Sequence, residues 1–258
     1  MNIRTATGNG VATIEIARPE KKNALTVAMY QAMADALNAA QADANVRAVL
    51  ITGQPGVFTS GNDLDDFMKR APISGSHVGD TPVLQFMKAL LGIDKPVVAA
   101  VTGAAIGIGT TMLLHCDFVY VSDEARLAMP FVGLGLVPEF ASSLVLPRLL
   151  GNARAAEKLL LGDPFTAEQA VEAGIANAVL PASEVVRHAR RIAERFNALP
   201  PAAVRETKKL LRRSSREEIL QAIRIEGEVF SQLLGSPEAK EAISAFFQKR
   251  KPDFSKFE

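Results

Sequence analysis

Short, almost wholly apolar segments recur through the first half of the chain and limit how it can fold. They occupy residues 11–17 (VATIEIA), 46–52 (VRAVLIT), 96–101 (PVVAAV) and 117–121 (DFVYV). A strand with one face in water alternates apolar and polar residues, whereas a strand covered on both faces is apolar nearly throughout. These segments therefore predict parallel strands buried between layers of helices.

Amphipathic spacing predicts the helices that separate these strands. Thr26 is placed to cap the first helix, whose apolar face comprises Met29, Met33, Leu37 and Ala40. Further helices are predicted near residues 82–91 and over residues 109–115, and the pattern is mostly helical from about residue 153, with a strand over residues 176–180. Alternation of this kind is typical of an α/β domain with a mostly parallel sheet.

Composition excludes several other classes of protein. The chain has 258 residues, of which 48% are hydrophobic, and this is ample for a large core. Its 29 Lys and Arg balance 28 Asp and Glu, so no overall attraction to nucleic acid or to an anionic membrane is predicted. With one cysteine, no signal peptide recognised and no apolar run of membrane-spanning length, we expect a soluble cytoplasmic protein.

The basic residues are uneven, because Arg and Lys crowd the segment from Arg187 to Arg213. Such a segment is most often a solvated helix face, but it leaves RNA binding as an alternative. Glu194 and Glu206 dilute its charge, and Phe196 is the only Phe, Tyr or Trp there that could stack on a base. No metal site is predicted, because the histidines lack ligand spacing to acids or thiols.

Two glycine-containing loops follow predicted strands. In residues 58–64 (FTSGNDL), backbone N–H groups of a tight turn can receive negative charge, although an ordinary turn capped by Asp63 is the alternative. Residues 103–109 (GAAIGIG) lack the remaining spacing of a dinucleotide fingerprint, so no nucleotide site is predicted. The free amides of a helix N-terminus, or simple close packing of helix on strand, are the two interpretations of this second loop.

A third segment, residues 133–143 (GLGLVPEFASS), contains an isolated acid. Glu139 is the only ionisable residue between Leu127 and Pro147. It is either a residue of the first turn of a helix, favoured by the helix dipole, or a general base in an apolar pocket. In the second case burial would raise its pKa, while a helix terminus would lower it.

Taken in order, these segments resemble the crotonase (enoyl-CoA hydratase/isomerase) superfamily, and most closely the peroxisomal type of Δ3,Δ2-enoyl-CoA isomerase. The resemblance rests on RPEKKNAL, FTSGNDL, KPVVAAVTGAAIGIG, LHCDFVYVSDEARLAMPFVGLGLVPE and AFFQKRKPDF. It implies a spiral of ββα units over residues 1–200 and a C-terminal helical region over residues 201–258 for trimerisation and CoA contact. It also implies acyl-CoA substrates, no separate cofactor, and homotrimers that often pair into hexamers.

The resemblance also implies roles for individual residues. The N–H groups of Asn62 and Ile108 would form an oxyanion hole for the thioester oxygen. Substrate contacts are predicted in the turn before the first helix, the oxyanion loop, an apolar wall and the C-terminal helix: Lys22, Asn23, Ala24, Leu25, Ser60, Gly61, Asp63, Leu64, Phe131, Val132, Leu134, Phe246 and Lys249. Phe140 is a further candidate for the wall, which is expected because water would compete with the reaction. Residues 71–80 are expected to lie over the acyl pocket.

The chain departs from the hydratases of this family at two positions. Hydratases hold a water between two glutamates, and the corresponding residues here are Thr111 and Phe131. Glu139 instead falls where the isomerases carry their single catalytic glutamate. This favours an isomerase with Glu139 as base, with enoyl-CoA hydratase as the alternative enzyme and a non-catalytic acyl-CoA or RNA-binding protein as the alternative of another class.

Overall fold

The computed structural model describes residues 2–68 and 81–257, so the predicted acyl-pocket loop at residues 71–80 lies outside the described part. The strands are β1 (Ile3–Gly8), β2 (Val11–Ile16), β3 (Ala48–Thr52), β4 (Val57–Thr59), β5 (Val97–Val101), β6 (Ala104–Ile106), β7 (Phe118–Ser122), β8 (Arg126–Ala128), β9 (Phe165–Thr166) and β10 (Ala178–Leu180). They form a six-stranded sheet, β1-β2-β3-β5-β7-β10, and a four-stranded sheet, β4-β6-β8-β9.

The six-stranded sheet contains every strand that was predicted from an apolar run. Strands β2, β3, β5, β7 and β10 are parallel to one another, and β1 pairs antiparallel with β2. All five residues of β3 and all five of β5 are buried, as expected for strands covered on both faces. The prediction of an α/β fold is therefore confirmed. Strand β1 was not predicted, because it is exposed at all but its first residue and carries no apolar run.

The helices alternate with the strands and then dominate the C-terminal part of the chain. They are α1 (Val27–Ala42), α2 (Leu64–Met68), α3 (Pro82–Gly92), α4 (Ile108–Thr111), α5 (Ser142–Leu150), α6 (Asn152–Ala156), α7 (Ala167–Glu172), α8 (Ala182–Glu194), α9 (Pro201–Arg212), α10 (Arg216–Leu234) and α11 (Pro237–Phe247). Thr26 caps α1 as predicted, since its hydroxyl accepts a hydrogen bond from the N–H of Met29. The predicted apolar face of α1 is buried throughout.

The four-stranded sheet was not predicted, because none of its strands exceeds three residues. Strand β4 runs parallel to β6, and β6 runs parallel to β8. The carboxyl ends of parallel neighbours lie at the same edge of a sheet. The loop after β4, which contains Asn62, is therefore brought to the same edge as the loop after β6, which leads to Ile108.

The C-terminal helices are joined to the larger sheet by buried polar contacts. The Lys208 ammonium group lies 2.7 Å from an Asp117 carboxylate oxygen and donates to the carbonyl of Lys95. Arg212 donates to the other oxygen of Asp117 at 2.8 Å.

The division of the chain into a core and a C-terminal region at residue 200 stays a prediction. Over the described residues, no helix is both long and apolar enough to span a membrane.

Candidate active site

The two predicted oxyanion loops touch each other through glycines. Gly61 has a φ of +90°, and a Cβ atom at this residue would lie 2.9 Å from the carbonyl oxygen of Ile106. A Cβ atom at Gly109 would lie 2.6 Å from the Cγ2 atom of Thr59. These separations are too short for a side chain. Glycine is therefore needed where each loop meets the other.

Two backbone N–H groups at this contact have no acceptor among the residues that the structure describes. Leu25 brackets Asn62 by donating to the carbonyl of Gly61 at 2.8 Å and accepting from the N–H of Asp63 at 2.9 Å. Ile108 is the first residue of α4, where a backbone N–H has no acceptor within the helix. Neither the Asn62 nor the Ile108 N–H donates to any residue that the structure describes. Both are free to bind a ligand oxygen.

Glu139 is linked directly to the helix that carries the second donor. Its side chain is buried, and its carboxyl group accepts a hydrogen bond from the Thr111 hydroxyl, one helical turn after Ile108. Tyr30, which donates to the side-chain oxygen of Asn62 at 2.5 Å, is close enough to Glu139 for the carboxylate charge to raise the pKa of the phenol, in addition to the larger effect of burial. The structure thus brings Asn62, Ile108 and Glu139 together.

Burial raises the pKa of Glu139 to about 8, against the opposing effect of the Thr111 hydrogen bond and with a contribution from the charge of Glu226. The alternative interpretation of Glu139 as a first-turn helix residue is wrong. Helix α5 begins at Ser142, and the residues between, Phe140 and Ala141, have left-handed φ angles of 57° and 58°. Glu139 therefore lies outside the helix, and no first-turn amide that the structure describes donates to its carboxyl group.

This raised pKa predicts that Glu139 destabilises the folded protein as pH rises. Below about pH 4.5 the carboxyl group is protonated in both states, whereas between about pH 4.5 and 8 only the unfolded chain ionises it. We expect Glu139→Gln to melt at a higher temperature than the wild type, by a margin that grows across this interval and is constant above it. Thermal melts over the interval measure the margin, and one that is independent of pH would contradict the prediction.

Residues 22–25, in the turn between β2 and α1, are hydrogen-bonded to β4 and to the oxyanion loop that follows it. The side chain of Asn23 is completely buried and donates to the carbonyls of Val57 and Phe58 at 3.0 and 3.1 Å. Any ligand contact at Asn23 would therefore use its backbone. Lys22 is exposed in a left-handed conformation, and its carbonyl accepts from the N–H of Ser60 at 3.1 Å. Contact of Lys22, Ala24 and Leu25 with CoA stays a prediction.

Asp63 stabilises the same loop through an ion pair. One of its carboxylate oxygens lies 2.6 Å from the Arg18 guanidinium group, and the other accepts from the N–H of Asp66 at 3.0 Å. Burial alone would raise the pKa of Asp63, but these bonds hold it below its usual value. The same Arg18 nitrogen donates to the carbonyl of Ala24 at 2.9 Å. Asp63 lies beside Leu64 at the start of α2. Through Arg18, it joins the loop that carries Asn62 to the turn that contains Ala24.

The predicted apolar wall divides into buried and exposed parts. Phe131 is buried beside the oxyanion loop, with its ring 3.9 Å from where a Cβ atom of Gly107 would lie. Phe140 is buried and Leu134 partly so, but Val132 is 43% exposed. Phe246, 60% exposed, and Lys249 lie at the end of α11 with their side chains in solvent. Their predicted contact with CoA stays a prediction.

Sequence reasoning missed Tyr30 and Glu226 and assigned Thr111 no positive role. A signal for Glu226 exists: it lies on the apolar stripe of α10, three residues after Ile223 and four before Phe230. A carboxylate on an apolar stripe is rarely left without a partner. Tyr30 carries no comparable signal, since an aromatic residue on the apolar face of α1 looks like any core residue.

Five of the nine Arg and Lys residues from Arg187 to Arg213 are paired with acids. Arg187 pairs with Glu184, Arg190 with Glu194, Lys209 with Glu206 and Asp94, and Lys208 and Arg212 with Asp117. These pairs weaken the positive potential that RNA binding would need. Across residues 2–68 and 81–257, no group of three or more His, Cys, Asp or Glu is placed to hold a metal ion.

The sequence of the chain is similar to those of known acyl-CoA enzymes. The sequence model of the family described as enoyl-CoA hydratase/isomerase matches residues 6–256. The chain is 32% identical over 244 residues to 2,3-dehydroadipyl-CoA hydratase of Escherichia coli, covering 95% of this chain and 94% of that protein. It is 37% identical over 216 residues to enoyl-CoA delta isomerase 2 of Rattus norvegicus, covering 81% of this chain but only 54% of that protein.

The fold agrees with the sequence comparison. The structure of OdaA from Pseudomonas aeruginosa is 54% identical to this chain and matches it with a TM-score of 0.91, over 95% of this chain and 98% of that one. The crotonase-like α/β fold with a helical C-terminal region is thereby confirmed. With its family model matched from residue 6 to residue 256, this chain belongs to the enoyl-CoA hydratase/isomerase family of acyl-CoA enzymes.

Proposed function

We propose that the protein is a Δ3,Δ2-enoyl-CoA isomerase in which Glu139 is the single acid–base group. The observation that carries the proposal is the buried carboxyl group of Glu139, hydrogen-bonded to Thr111 one turn from the N–H of Ile108, for which the described part of the chain supplies no acceptor. The family resemblance aligns Thr111 and Phe131 with the two glutamates of hydratases. Neither side chain can supply a carboxylate there to hold an attacking water.

The reaction moves a double bond from C3–C4 to C2–C3 by transferring one proton from C2 to C4. The Glu139 carboxylate takes the C2 proton, and the electron pair of that C–H bond spreads over the dienolate to the thioester oxygen. The N–H groups of Asn62 and Ile108 donate hydrogen bonds to this oxygen as its negative charge develops. The protonated Glu139 then delivers its proton to C4, which leaves the C2–C3 double bond and restores the carboxylate.

The raised pKa of Glu139 suits both halves of this cycle. A general base is most effective when its pKa lies near the working pH. Burial raises the pKa of Glu139 to about 8, so the group accepts a proton from carbon more readily than a solvated carboxylate would. The buried rings of Phe131, beside the oxyanion loop, and of Phe140, next to Glu139 in the chain, would exclude water from a charge that water would otherwise stabilise.

Enoyl-CoA hydratase is the second candidate. It is favoured by the similarity over almost the whole chain to 2,3-dehydroadipyl-CoA hydratase, whereas the rat isomerase matches over 81%. In a hydratase of this design, Glu139 alone would activate the water, without a second carboxylate to orient it. The expected hydration rate is therefore low.

Two substrates given to the same preparation separate the candidates. We expect isomerisation of trans-3-hexenoyl-CoA to exceed hydration of crotonyl-CoA by about 100-fold in kcat/KM, since the missing second carboxylate removes one acid–base contribution from hydration alone. Both are followed spectrophotometrically at the enoyl thioester absorbance. Faster hydration than isomerisation would reject the isomerase assignment in favour of the hydratase.

We further propose that the chain assembles as a homotrimer, alone or paired into a hexamer. Large apolar side chains are exposed on the C-terminal helices, including Leu210 (67%), Leu211 (78%) and Ile225 (47%). Apolar surface of this kind is typical of a face covered by another subunit. Cytoplasmic location and the lack of a nucleic-acid partner stay predictions.

A further inference from the structure

Glu226 of α10 is a buried carboxylate that the proposed reaction does not use. It accepts hydrogen bonds from the N–H of Ala141 at 2.6 Å, the N–H of Ser143 at 3.0 Å and the hydroxyl of Ser143 at 2.5 Å. It is only 6% exposed. Its partners lie 83 and 85 residues away in the chain, so this contact joins the C-terminal helices to the segment that carries Glu139.

The segment between Glu139 and α5 has an unfavourable backbone conformation. Phe140 and Ala141 are consecutive residues with a Cβ atom in the left-handed region, at φ angles of 57° and 58°. Such residues keep this conformation only when surrounding contacts impose it. Glu226 binds the turn from one side, and His115 binds it from another, with its Nε2 atom 2.7 Å from the carbonyl oxygen of Phe140.

This turn determines where the carboxyl group of Glu139 lies. The carbonyl of Glu139 accepts from both the N–H and the hydroxyl of Ser142, at 3.2 and 2.7 Å, so its backbone is fixed to the first residue of α5. Release of the turn would rotate Glu139 relative to Thr111 and the oxyanion donors. The amides that would otherwise stabilise a carboxylate at this helix terminus are occupied by Glu226.

We propose that Glu226 is a positioning residue for the base, holding the Phe140–Ala141 turn and taking the helix-terminal amides so that Glu139 faces the substrate. This inference rests on the proposed role of Glu139. It gives the C-terminal helices a part in the reaction that does not involve contact with substrate.

The charge of Glu226 also affects Glu139, because a nearby negative charge raises the pKa of a carboxyl group. The ionisable groups that face Glu139 are Tyr30 from α1 and Glu226 from α10, while His115 contacts the same turn. Burial lowers the pKa of His115 to about 4, so it is neutral at physiological pH. Burial raises the pKa of Glu226 as well, against the hydrogen bonds from Ser143 and Ala141, and the charge of ionised Glu226 adds to the larger effect of burial on the pKa of Glu139. Removal of this charge is expected to lower that pKa.

Three variants test the proposal. Glu226→Gln removes the charge and keeps the shape and one acceptor oxygen. Glu226→Ala removes charge and acceptors together. Glu228→Gln is the matched control, because it removes one charge from the same helix at a residue that is paired with Arg224 at the surface. Circular dichroism and thermal melts confirm that each variant is folded before kinetics are measured.

Two readouts are compared. The first is kcat, KM and the acid limb of the kcat–pH profile for trans-3-hexenoyl-CoA. The second is a titration of Glu139 itself by ¹³C NMR of side-chain-labelled glutamate, with Glu139→Gln identifying the resonance. The NMR titration does not depend on turnover, so it tests the positioning role even if the isomerase assignment fails.

In folded Glu226→Ala we expect kcat to fall by about 10- to 100-fold with little change in KM, because the base is displaced rather than the binding groups. In Glu226→Gln we expect a smaller loss of kcat, with the acid limb and the NMR titration both moved to lower pH. Glu228→Gln is expected to match the wild type. A titration of Glu139 that is unchanged in Glu226→Gln, or wild-type kcat in folded Glu226→Ala, would overturn the proposal.

Discussion

Replacement of Glu139 by glutamine is expected to lower kcat for 3-enoyl-CoA isomerisation by about 10³- to 10⁴-fold while leaving acyl-CoA affinity almost unchanged. Glutamine has the same shape and can still accept the hydrogen bond of Thr111, but it cannot take a proton from C2 or return one to C4. General acid–base groups contribute roughly 10²- to 10⁴-fold each, and this one residue performs both transfers. The fall should therefore lie at the upper end of that range.

Steady-state kinetics with trans-3-hexenoyl-CoA and calorimetric titration with hexanoyl-CoA measure the two quantities separately. Glu228→Gln serves as the control for loss of one carboxylate that is paired with Arg224 at the surface. Retention of most of the isomerase activity in folded Glu139→Gln would remove this residue from the reaction. Loss of acyl-CoA binding together with activity would instead indicate that Glu139 supports the architecture of the site.

Substitution of Gly61 by alanine is expected to reduce kcat by about 10²- to 10³-fold. The new methyl group would lie 2.9 Å from the carbonyl oxygen of Ile106, and the loop that carries Asn62 must move away to relieve this contact. That movement separates the Asn62 N–H from the Ile108 N–H. Loss of one oxyanion-hole donor typically costs 10²- to 10³-fold in rate, roughly, and displacement by about 1 Å can cost 10²-fold.

The chain offers a close control for the backbone strain that this substitution introduces. Gly56 also has a positive φ, +81° compared with +90° at Gly61, but a Cβ atom there would meet no atom within 4 Å. Gly56→Ala should therefore lose a comparable amount of stability without the loss of rate. Kinetics on both folded variants, with unfolding curves for each, make the comparison. Equal loss of kcat in the two variants would show that backbone strain, and not the oxyanion geometry, limits the reaction.

The two buried acids of the site differ because only one of them receives the helix amides. Glu226 accepts three hydrogen bonds from Ala141 and Ser143, which offset part of the cost of burial. Glu139 accepts one, from Thr111, and stays in the state that burial makes unfavourable for a charge. A carboxylate left in this state is a stronger base and a poorer contributor to stability. Increased activity at the expense of stability is common at active sites.

Much of the larger sheet could be predicted, because a strand that is buried on both faces appears in the sequence as a continuous apolar run. Strands β3, β5 and β7 follow apolar runs within one or two residues of the predicted bounds. Strand β1 and the strands of the smaller sheet do not appear as long apolar runs. They are short or exposed, and their pairing depends on partners far along the chain.

The sequence by itself determined the class of fold, the apolar surroundings of Glu139 and the absence of glutamates at residues 111 and 131, because these follow from residue type and local order. Only the tertiary structure decided that Glu139 precedes its helix instead of beginning it, and that a carboxylate 85 residues beyond Ala141 takes the amides there. Such contacts join segments that are far apart along the chain, and the local order of residues does not indicate which distant segments will meet. Their energetic consequence, a carboxyl group with a pKa of about 8, therefore appears only once the chain is folded.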